Sequence, residues 1–461
     1  MSVKTTFCLF ISLALAGALR AQSSPPVREL TLEDAIHMSL DKNYDARTAS
    51  QSLYKAEIQH GAASDNLLPG FSASGRYGYV KSISKSSLVL VPDTGGSFRL
   101  APGVPPGSHS VSYDIGGTIN IYGGGGDISR IRSSGYSLDA AKYNLKWQRQ
   151  SVAFNVTRAY VNALRTRELL KAADKTLTQS LAQLDRIKGL YQAGAIAIGD
   201  VYQQEAAVGQ QELQSITSKN DYENAKVDLL YLLNLPSETY SRFDVGTSGI
   251  DTSVTSLKTK TLQSQPQESE ITTIINTRED FAATRSGILS SEAAIGITRS
   301  NLLPSLDGNF GFQGNINPNA TRQDLTNIQL AHGYYAGLNL SVPIYDRNQY
   351  RSQIETQEID IQTSKIRLEQ QEQQLRSDIA KSYNTLVNSE RALESTERTL
   401  RAAEESVRSA EERFKAGAGI QTDVIVAQAT IQSARSNYVN AIYSFILSQK
   451  TLEYLLGRWN Y

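Results

Sequence analysis

Two long segments of the chain carry an apolar residue at every seventh position, with mostly small residues in between. In the later segment these positions are Ile379, Leu386, Leu393, Leu400, Val407 and Phe414. In the earlier segment they are Val156, Ala163, Leu170, Leu177, Leu184 and Tyr191. A seam of large and small residues with this spacing is typical of helices that pack closely as knobs into holes. Residues 128–190 and 348–414 also contain no proline, so each is predicted to form one helix of about 95–100 Å within an antiparallel helical hairpin.

Four shorter segments instead alternate apolar and polar residues. The apolar positions of the first two are Phe71, Ala73, Gly75, Tyr77 and Tyr79, then Val111, Tyr113, Ile115, Ile119 and Ile121. Those of the other two are Leu306, Phe310, Phe312 and Ile316, then Ala336, Leu338, Leu340, Val342 and Ile344. This period of two predicts two β-hairpins, at about residues 70–122 and 305–345. The intervening positions are too hydrophilic for a core, which fits either a barrel with a wet lumen and a lipid-facing outside or a half-exposed soluble sheet.

Both patterns occur twice because the chain is internally duplicated. The tetrapeptide NLLP stands at residues 66–69 and again at 301–304, and the sequences that flank it can be aligned over long stretches. We therefore predict two repeats, residues 30–236 and 267–459, joined by a Ser/Thr-rich linker at 237–266.

Each NLLP marks a predicted junction between a helix and a strand. Pro69 and Pro304 cannot continue a helix, and they push the preceding residue into extended geometry. The long predicted helices end instead at the related stretches AGAIAIGDV and AGAGIQTDV. Glycine is a common helix stop, so Gly194 and Gly417 are predicted to end these helices shortly before a second helix begins.

The first residues predict that the chain is exported from the cytoplasm. Lys4 precedes an apolar run from Phe7 to Leu19, and small residues follow near Ala21. A run this short is typical of a cleaved secretory signal, here residues 1–21, rather than of a membrane-spanning helix. The signal and the length of the alternating segments together favour the membrane interpretation of those segments.

Composition excludes several other classes of protein. The chain has 46 Lys and Arg against 46 Asp and Glu, so no basic surplus points to nucleic acid. Its one cysteine, Cys8, lies inside the predicted signal, which leaves no thiol in the mature chain for a disulfide or a metal. The four histidines lie far apart, and neither HExxH nor G-x-S-x-G occurs. We therefore predict that the protein is not an enzyme and has no catalytic, metal or cofactor site.

Over almost its whole predicted mature length, the chain resembles the TolC-like outer-membrane efflux proteins. The resemblance rests on the duplication, the helix–LLP–strand junctions, SVPIYD at residues 341–346 and the paired AGA turns. It implies a mainly α fold with a membrane β-barrel. In such a homotrimer each protomer gives four strands to a twelve-stranded barrel and its helices to a periplasmic tunnel. Geometry independently requires oligomerisation, because four strands cannot close a barrel with an open lumen.

The resemblance also implies a location, partners and a function. Proteins of this kind lie in the cell outer membrane, in contact with its lipid, and their helical tunnel extends into the periplasm. They act as passive exit ducts of tripartite efflux or type I secretion systems. An inner-membrane pump and a periplasmic adaptor protein would open the duct, and no nucleic acid is expected as a partner.

Two sets of site residues follow from the resemblance. The tip turns at Gly194 and Gly417 would dock the adaptor, because glycine lets another helical hairpin approach the backbone closely. Asp423 and Asp200 would lie at a periplasmic aperture, where the acids of three protomers attract cations. A plain helix stop and a favourable charge at a helix start are the simpler alternatives. The chain departs from the family pattern at four positions of this region: Gly199, Phe414, Gly419 and Val426.

Two other functions fit part of the sequence. A soluble periplasmic coiled-coil adaptor or scaffold protein would use the helical hairpins but would not need four amphipathic strands. A stand-alone porin-like pore would use the strands but would leave hairpins of about 100 Å without a role. The efflux duct accounts for both features.

Overall fold

The computed structural model describes residues 28–81, 88–92, 96, 98–102, 107–246, 266–316 and 331–458. The predicted signal peptide, with Cys8, lies outside these residues, as does most of the predicted linker. The helices are α1 (Leu32–Lys42), α2 (Tyr44–Asp65), α3 (Gly126–Gln192), α4 (Ile198–Leu232), α5 (Glu268–Thr277), α6 (Glu279–Ser300), α7 (Gln349–Lys415) and α8 (Gln421–Leu455), with a 3₁₀ helix at Ser237–Arg242. The strands are β1 (Arg28–Leu30), β2 (Gly70–Lys81), β3 (Leu88–Pro92), β4 (Phe98–Pro102), β5 (Gly107–Gly123), β6 (Phe243–Val245), β7 (Ser305–Ile316) and β8 (Ala331–Ser341).

The two longest helices confirm the predicted long helices. Each of α3 and α7 has 67 residues, which is about 100 Å at the usual rise per residue. Each is followed by a helix of 35 residues, α4 or α8. The members of each pair pack against each other through apolar clusters, so both form helical hairpins. Among the described helices, none contains a stretch long and apolar enough to cross a membrane.

The seven-residue seams lie on the buried faces of these helices, except that Tyr191 at the end of α3 is 43% exposed. Val156, Ile379 and Leu393 are at most 1% exposed. Most small residues of the seams are buried as well, and at one of them the hydroxyls of Ser389 and Ser448 lie 2.8 Å apart. Small side chains at these positions allow the two helices of a hairpin to approach closely.

The alternating segments form one sheet rather than two separate hairpins. Its strand order is β2-β5-β7-β8, and every neighbouring pair is antiparallel. The pairing of β5 with β7 joins the two predicted hairpins. The connection between β2 and β5 contains a further hairpin, β3–β4, which was not predicted. The prediction that the last strand continues through Val342 and Ile344 was wrong: β8 ends at Ser341, because Pro343 has no N–H to donate.

One face of this sheet is apolar and exposed. Facing residues complement each other in size: Gly117 lies between Phe71 and Phe310 in the register, and the two rings meet edge to face with centroids 5.8 Å apart. A Cβ at Gly117 would lie 2.7 Å from the Phe310 ring. Phe71 is nevertheless 73% exposed. A large exposed apolar face indicates contact with lipid or with another protein.

The other face of the sheet is polar. Its residues include Tyr335, whose hydroxyl donates to an Asp114 carboxylate oxygen at 3.0 Å. Tyr335 reaches over Gly311 and Gly116, at which an added Cβ would lie within 2.7 and 2.6 Å of its hydroxyl. The contact ties β8 to β5 across the intervening strand β7.

A glycine-rich turn leads from β5 into α3. Gly124 and Gly125 have φ angles of +61° and +80°, which favour glycine. A Cβ at Gly124 would also lie 2.7 Å from the Ser300 carbonyl oxygen, where α6 ends. The turn therefore needs glycine both for its backbone conformation and for the close approach to α6.

Two compact units divide the chain differently from the sequence repeats. Unit 1 comprises Met1–Arg47, Gln148–Ile271 and Leu375–Tyr461, and unit 2 comprises Thr48–Trp147 and Thr272–Gln374. Each unit takes residues from both predicted repeats. Unit 2 contains the four-stranded sheet, while unit 1 contains the helical tips and a small pair of parallel strands, β1 and β6.

In unit 1, α3 holds the β1–β6 pair through a buried tyrosine. The Tyr160 side chain is fully buried, and its hydroxyl lies 3.0 Å from the Leu30 carbonyl oxygen and 2.6 Å from that of Gly246. Arg167, two turns further along α3, donates to the Val245 carbonyl. Burial raises the pKa of Tyr160 to about 12, so the hydroxyl stays protonated and can donate near neutral pH.

We expect Tyr160→Phe to lower the free energy of unfolding by about 1–3 kcal/mol, because it leaves the buried Gly246 carbonyl without its side-chain donor. Thermal unfolding of the detergent-purified protein, followed by circular dichroism, measures this loss. Tyr231→Phe is the control, since Tyr231 is 66% exposed. The pH dependence gives a second readout: the contribution of neutral Tyr160 is complete below pH 10 and is lost as pH rises through about 12. Equal stability and equal alkaline loss in the two variants would contradict the assignment.

Candidate functional site

The turn between α3 and α4 is closed by backbone hydrogen bonds around Gly194. The Gly194 N–H donates to the Tyr191 carbonyl and the Ala195 N–H to the Leu190 carbonyl, both at 2.9 Å. This pair of bonds is a Schellman motif, which satisfies carbonyls that a helix end leaves free. Gly194 has φ of +73°, a conformation that strains most residues with a Cβ, asparagine being one of the few that adopt it.

The turn between α7 and α8 repeats this geometry. The Gly417 N–H donates to the Phe414 carbonyl at 3.1 Å and the Ala418 N–H to the Arg413 carbonyl at 2.9 Å. Gly417 also has φ of +73°. A Cβ at Gly194 or at Gly417 would meet no atom of the described residues within 4 Å. Both glycines therefore end a helix, and no described residue fills the space beside them.

Asp200 and Asp423 occupy matching positions in the first turns of α4 and α8. Their N–H groups donate to the carbonyls of the N-cap residues Ala197 (3.1 Å) and Ile420 (3.2 Å). Neither N-cap residue provides a side-chain cap, so an acid in this turn is favoured by the helix dipole. Asp423 is exposed and Asp200 is half-buried. Neither carboxylate forms an ion pair or hydrogen bond with a residue in the described part of the chain.

A buried amide pair joins the starts of α4 and α8. Gln421 Nε2 donates to Gln204 Oε1 at 2.8 Å, and Gln204 Nε2 lies 3.1 Å from both oxygens of Ser180. The two glutamines are 2% and 0% exposed, respectively. Gln421 Oε1 is buried and has no hydrogen-bond partner among the described residues. The two hairpin tips of one protomer are thus connected by polar groups inside their interface.

Apolar packing at the tips is centred on Phe414. It contacts one cluster in the first hairpin, formed by Leu184, Ile187, Val201 and Val208. It also contacts a cluster in its own hairpin, formed by Ala410, Val424 and Ala427. Phe414 stands where the resemblance expects a tyrosine, and here its ring bridges the two hairpins by apolar contact.

The structure brings only part of the predicted site together. The starts of α4 and α8, which carry Asp200 and Asp423, are in contact through the amide pair. Pro69 and Pro304 belong to unit 2. Pro69 lies between α2 and β2, and Pro304 lies between α6 and β7.

Sequence analysis missed the amide pair between Gln204 and Gln421. Its signal was a glutamine at a seam position, since Gln204 lies between Val201 and Val208 at helical spacing.

Comparison with known proteins identifies the family. The model of the outer membrane efflux protein family matches residues 35–235 and 271–458. The chain therefore belongs to the outer membrane efflux protein family, which places it in the outer membrane. It is 23% identical over 339 residues to the pyoverdine export outer membrane protein OpmQ of Pseudomonas putida. The match covers 71% of this chain, and the chain spans 65% of the length of that relative.

Solved structures of outer membrane channels share the fold. CusC superposes with a TM-score of 0.74 at 15% identity, over 94% of this chain and 93% of that one. The CmeC outer membrane channel of Campylobacter jejuni gives 0.72 at 16% identity, over 92% and 85%. VceC of Vibrio cholerae gives 0.71 at 15% identity, over 92% and 96%. These similarities confirm the predicted fold class.

Proposed function

We propose that the protein is the outer-membrane exit duct of a tripartite efflux or type I secretion system. Three protomers form a passive channel, which an inner-membrane pump and a periplasmic adaptor open. The observation that carries the proposal is the four-stranded sheet with one apolar face, one polar face and two unpaired edges.

The edges explain why further protomers are needed. Among the described residues, β2 and β8 each pair on one side only. Backbone groups left unpaired in lipid cost several kcal/mol each, about the cost of a lost hydrogen bond in an apolar medium. Because neighbours alternate in direction across an even number of strands, β8 of one protomer can pair antiparallel with β2 of the next. Three sheets then close into twelve strands, wide enough for a lumen.

The two faces then meet the two solvents of a channel. The exposed apolar residues face lipid, and the polar residues, including Asp114, Asn309 and Asn339, face the water of the lumen. The long helices continue the path, since α3 begins shortly after β5 and α7 shortly after β8. At about 100 Å each, they are long enough to carry the duct deep into the periplasm.

The alternatives account for less of the molecule. A stand-alone porin-like pore gives no role to two helices of 67 residues. A periplasmic coiled-coil adaptor or scaffold gives none to an exposed apolar sheet face that includes Leu338, which is 71% exposed. A soluble monomer in the periplasmic fraction would favour the adaptor.

The first prediction compares the two faces of β8. Leu338→Arg places a charge on the apolar face, while Asn339→Arg places it one residue away on the polar face. We expect Leu338→Arg to reduce the amount of heat-sensitive trimer in the outer membrane fraction strongly, because a buried lipid-facing charge costs about 2–4 kcal/mol per protomer. Asn339→Arg should give trimer at close to the wild-type amount. Gel migration of outer membrane extracts, with and without heating, measures both. Equal loss in the two variants would contradict the lipid-facing assignment.

The second prediction concerns adaptor docking at Gly194 and Gly417. The open space beside both glycines supports a docking role in addition to the helix stop. Asparagine tolerates the left-handed conformation, so the double variant Gly194→Asn and Gly417→Asn keeps the turns but adds side chains. We expect a folded trimer whose export in cells falls at least about tenfold, because adaptor contact depends on close backbone approach. Gly209→Asn, inside α4 and away from the turns, is the control. Full export by the double variant would leave the glycines with the helix-stop role alone.

The third prediction concerns Asp423 at the aperture. Its carboxylate is exposed and has no partner among the described residues, which supports a role as a charge ring around the threefold axis. Replacing Asp423 with Asn removes the charge while keeping the shape of the side chain. We expect bilayer recordings to show weaker cation selectivity and weaker block by multivalent cations, with unchanged trimer stability. Asp200→Asn tests whether the half-buried acid contributes. If both recordings match the wild type, Asp423 is a helix-start charge only.

A further inference from the structure

A cavity in unit 1 lies between α3, α4 and α8 and is away from the helical tips. Its volume is about 590 Å³. One face of α3 lines it with Asn155, Arg158, Asn162 and Arg165, whose spacing of three and four residues places them in one row. Asp228 of α4 and Tyr443 of α8 line the other sides.

The cavity opens on the side of α3 that faces away from the β1–β6 pair. Tyr160 and Arg167 bind that strand pair. At 3.6 residues per turn, they point roughly opposite to Asn155 and Asn162. In the proposed duct the cavity therefore lies on a face that the strand pair does not cover.

Within the described part of the chain, the two arginines of the cavity have no carboxylate partner. The half-buried Arg165 donates through Nη2 to Asn162 Oδ1 at 2.8 Å, while its Nε is buried and has no partner among the described residues. Arg158 is exposed, and no described carboxylate forms an ion pair with it or with Arg165. Asp228 contributes a single negative charge to the lining. Tyr443 adds none, because burial raises the pKa of its hydroxyl to about 12.

We propose that this cavity is a binding site for a small anionic solute that bears carboxylate or phosphate groups, with Arg165 and Arg158 as its charge partners. The proposal rests on the proposed function insofar as the solute reaches the cavity through the duct. Guanidinium groups match the geometry of carboxylates and phosphates and donate two hydrogen bonds at once. Arg165 gives only Nη2 to Asn162 among the described residues, so Nη1 of Arg165 and the guanidinium of Arg158 supply donors for a solute, and the amides of Asn155 and Asn162 supply more. The volume is within the range of small-molecule sites.

Isothermal titration of citrate and of inorganic phosphate into the full-length, detergent-purified protein tests the site directly. We expect saturable citrate binding that the double variant Arg158→Gln and Arg165→Gln weakens at least about tenfold, the usual effect of losing a charge-assisted hydrogen bond. Arg149→Gln is the matched control, since Arg149 lies eighteen residues before Arg167, on the same side of α3 as the strand pair. It should bind citrate like the wild type.

A variant that is expected to bind citrate more tightly shows that weaker binding in the arginine variant is not caused by misfolding. Asp228→Asn removes the negative charge from the lining at an exposed position, so it should tighten citrate binding by a few-fold. The proposal is overturned if the wild type binds neither citrate nor phosphate. An acidic side chain of a neighbouring protomer that filled the cavity would give this result. It is also overturned if all four proteins bind citrate alike.

The titrations also separate the cavity proposal from the proposed duct, because they need no conduction. Citrate binding by a protein that forms no channel would refute the duct and leave the binding site supported. Bilayer conduction without citrate binding would support the duct and refute the binding site.

Discussion

A β-strand in lipid needs a hydrogen-bonding partner on both sides, because the bilayer core offers no water to its backbone. The sheet of this protein meets that requirement only for β5 and β7 within the described chain, since β2 and β8 are its edges. Closure by further protomers is the way to remove such edges without adding strands. In the proposed duct, joining protomers at the sheet would also arrange the helices that leave it around the same axis. The long hairpins then need not insert into lipid, and their apolar residues are used for packing against each other.

Glycine makes close packing possible at several levels of this fold. In the sheet it faces large side chains, as Gly117 does between Phe71 and Phe310, so the rings can meet across a strand. On the polar face, Gly116 and Gly311 make room for Tyr335 to reach Asp114. The helical seams use alanine and serine in a similar way. This use of small residues explains why a chain with an unremarkable apolar content can still pack helices of 67 residues along much of their length.

The features with a local period were predictable from the sequence, and those that depend on distant residues were not. The heptad seams and the absence of proline placed α3 and α7 to within two residues. The alternating pattern identified the four long strands. It could not show that β5 pairs with β7, because that pairing joins residues from the two repeats and depends on tertiary packing. The β3–β4 hairpin was missed because no clear alternation marks it. The Gln204–Gln421 contact joins residues 217 positions apart, and a single polar residue in an apolar seam gives no indication of its partner.

That amide contact bears on how a duct of the proposed kind could open. An interface held by apolar burial alone is costly to separate, since each exposed CH₂ group costs about 0.8 kcal/mol. The Gln204–Gln421 pair behaves differently, because water can replace its hydrogen bonds when the hairpins part. Separation would even supply a partner to Gln421 Oε1, which has none among the described residues. Phe414 counteracts this by apolar contact with both hairpins. The tips thus combine one contact that resists separation with one that water readily replaces, as the proposed duct would require at an end that opens when a partner binds.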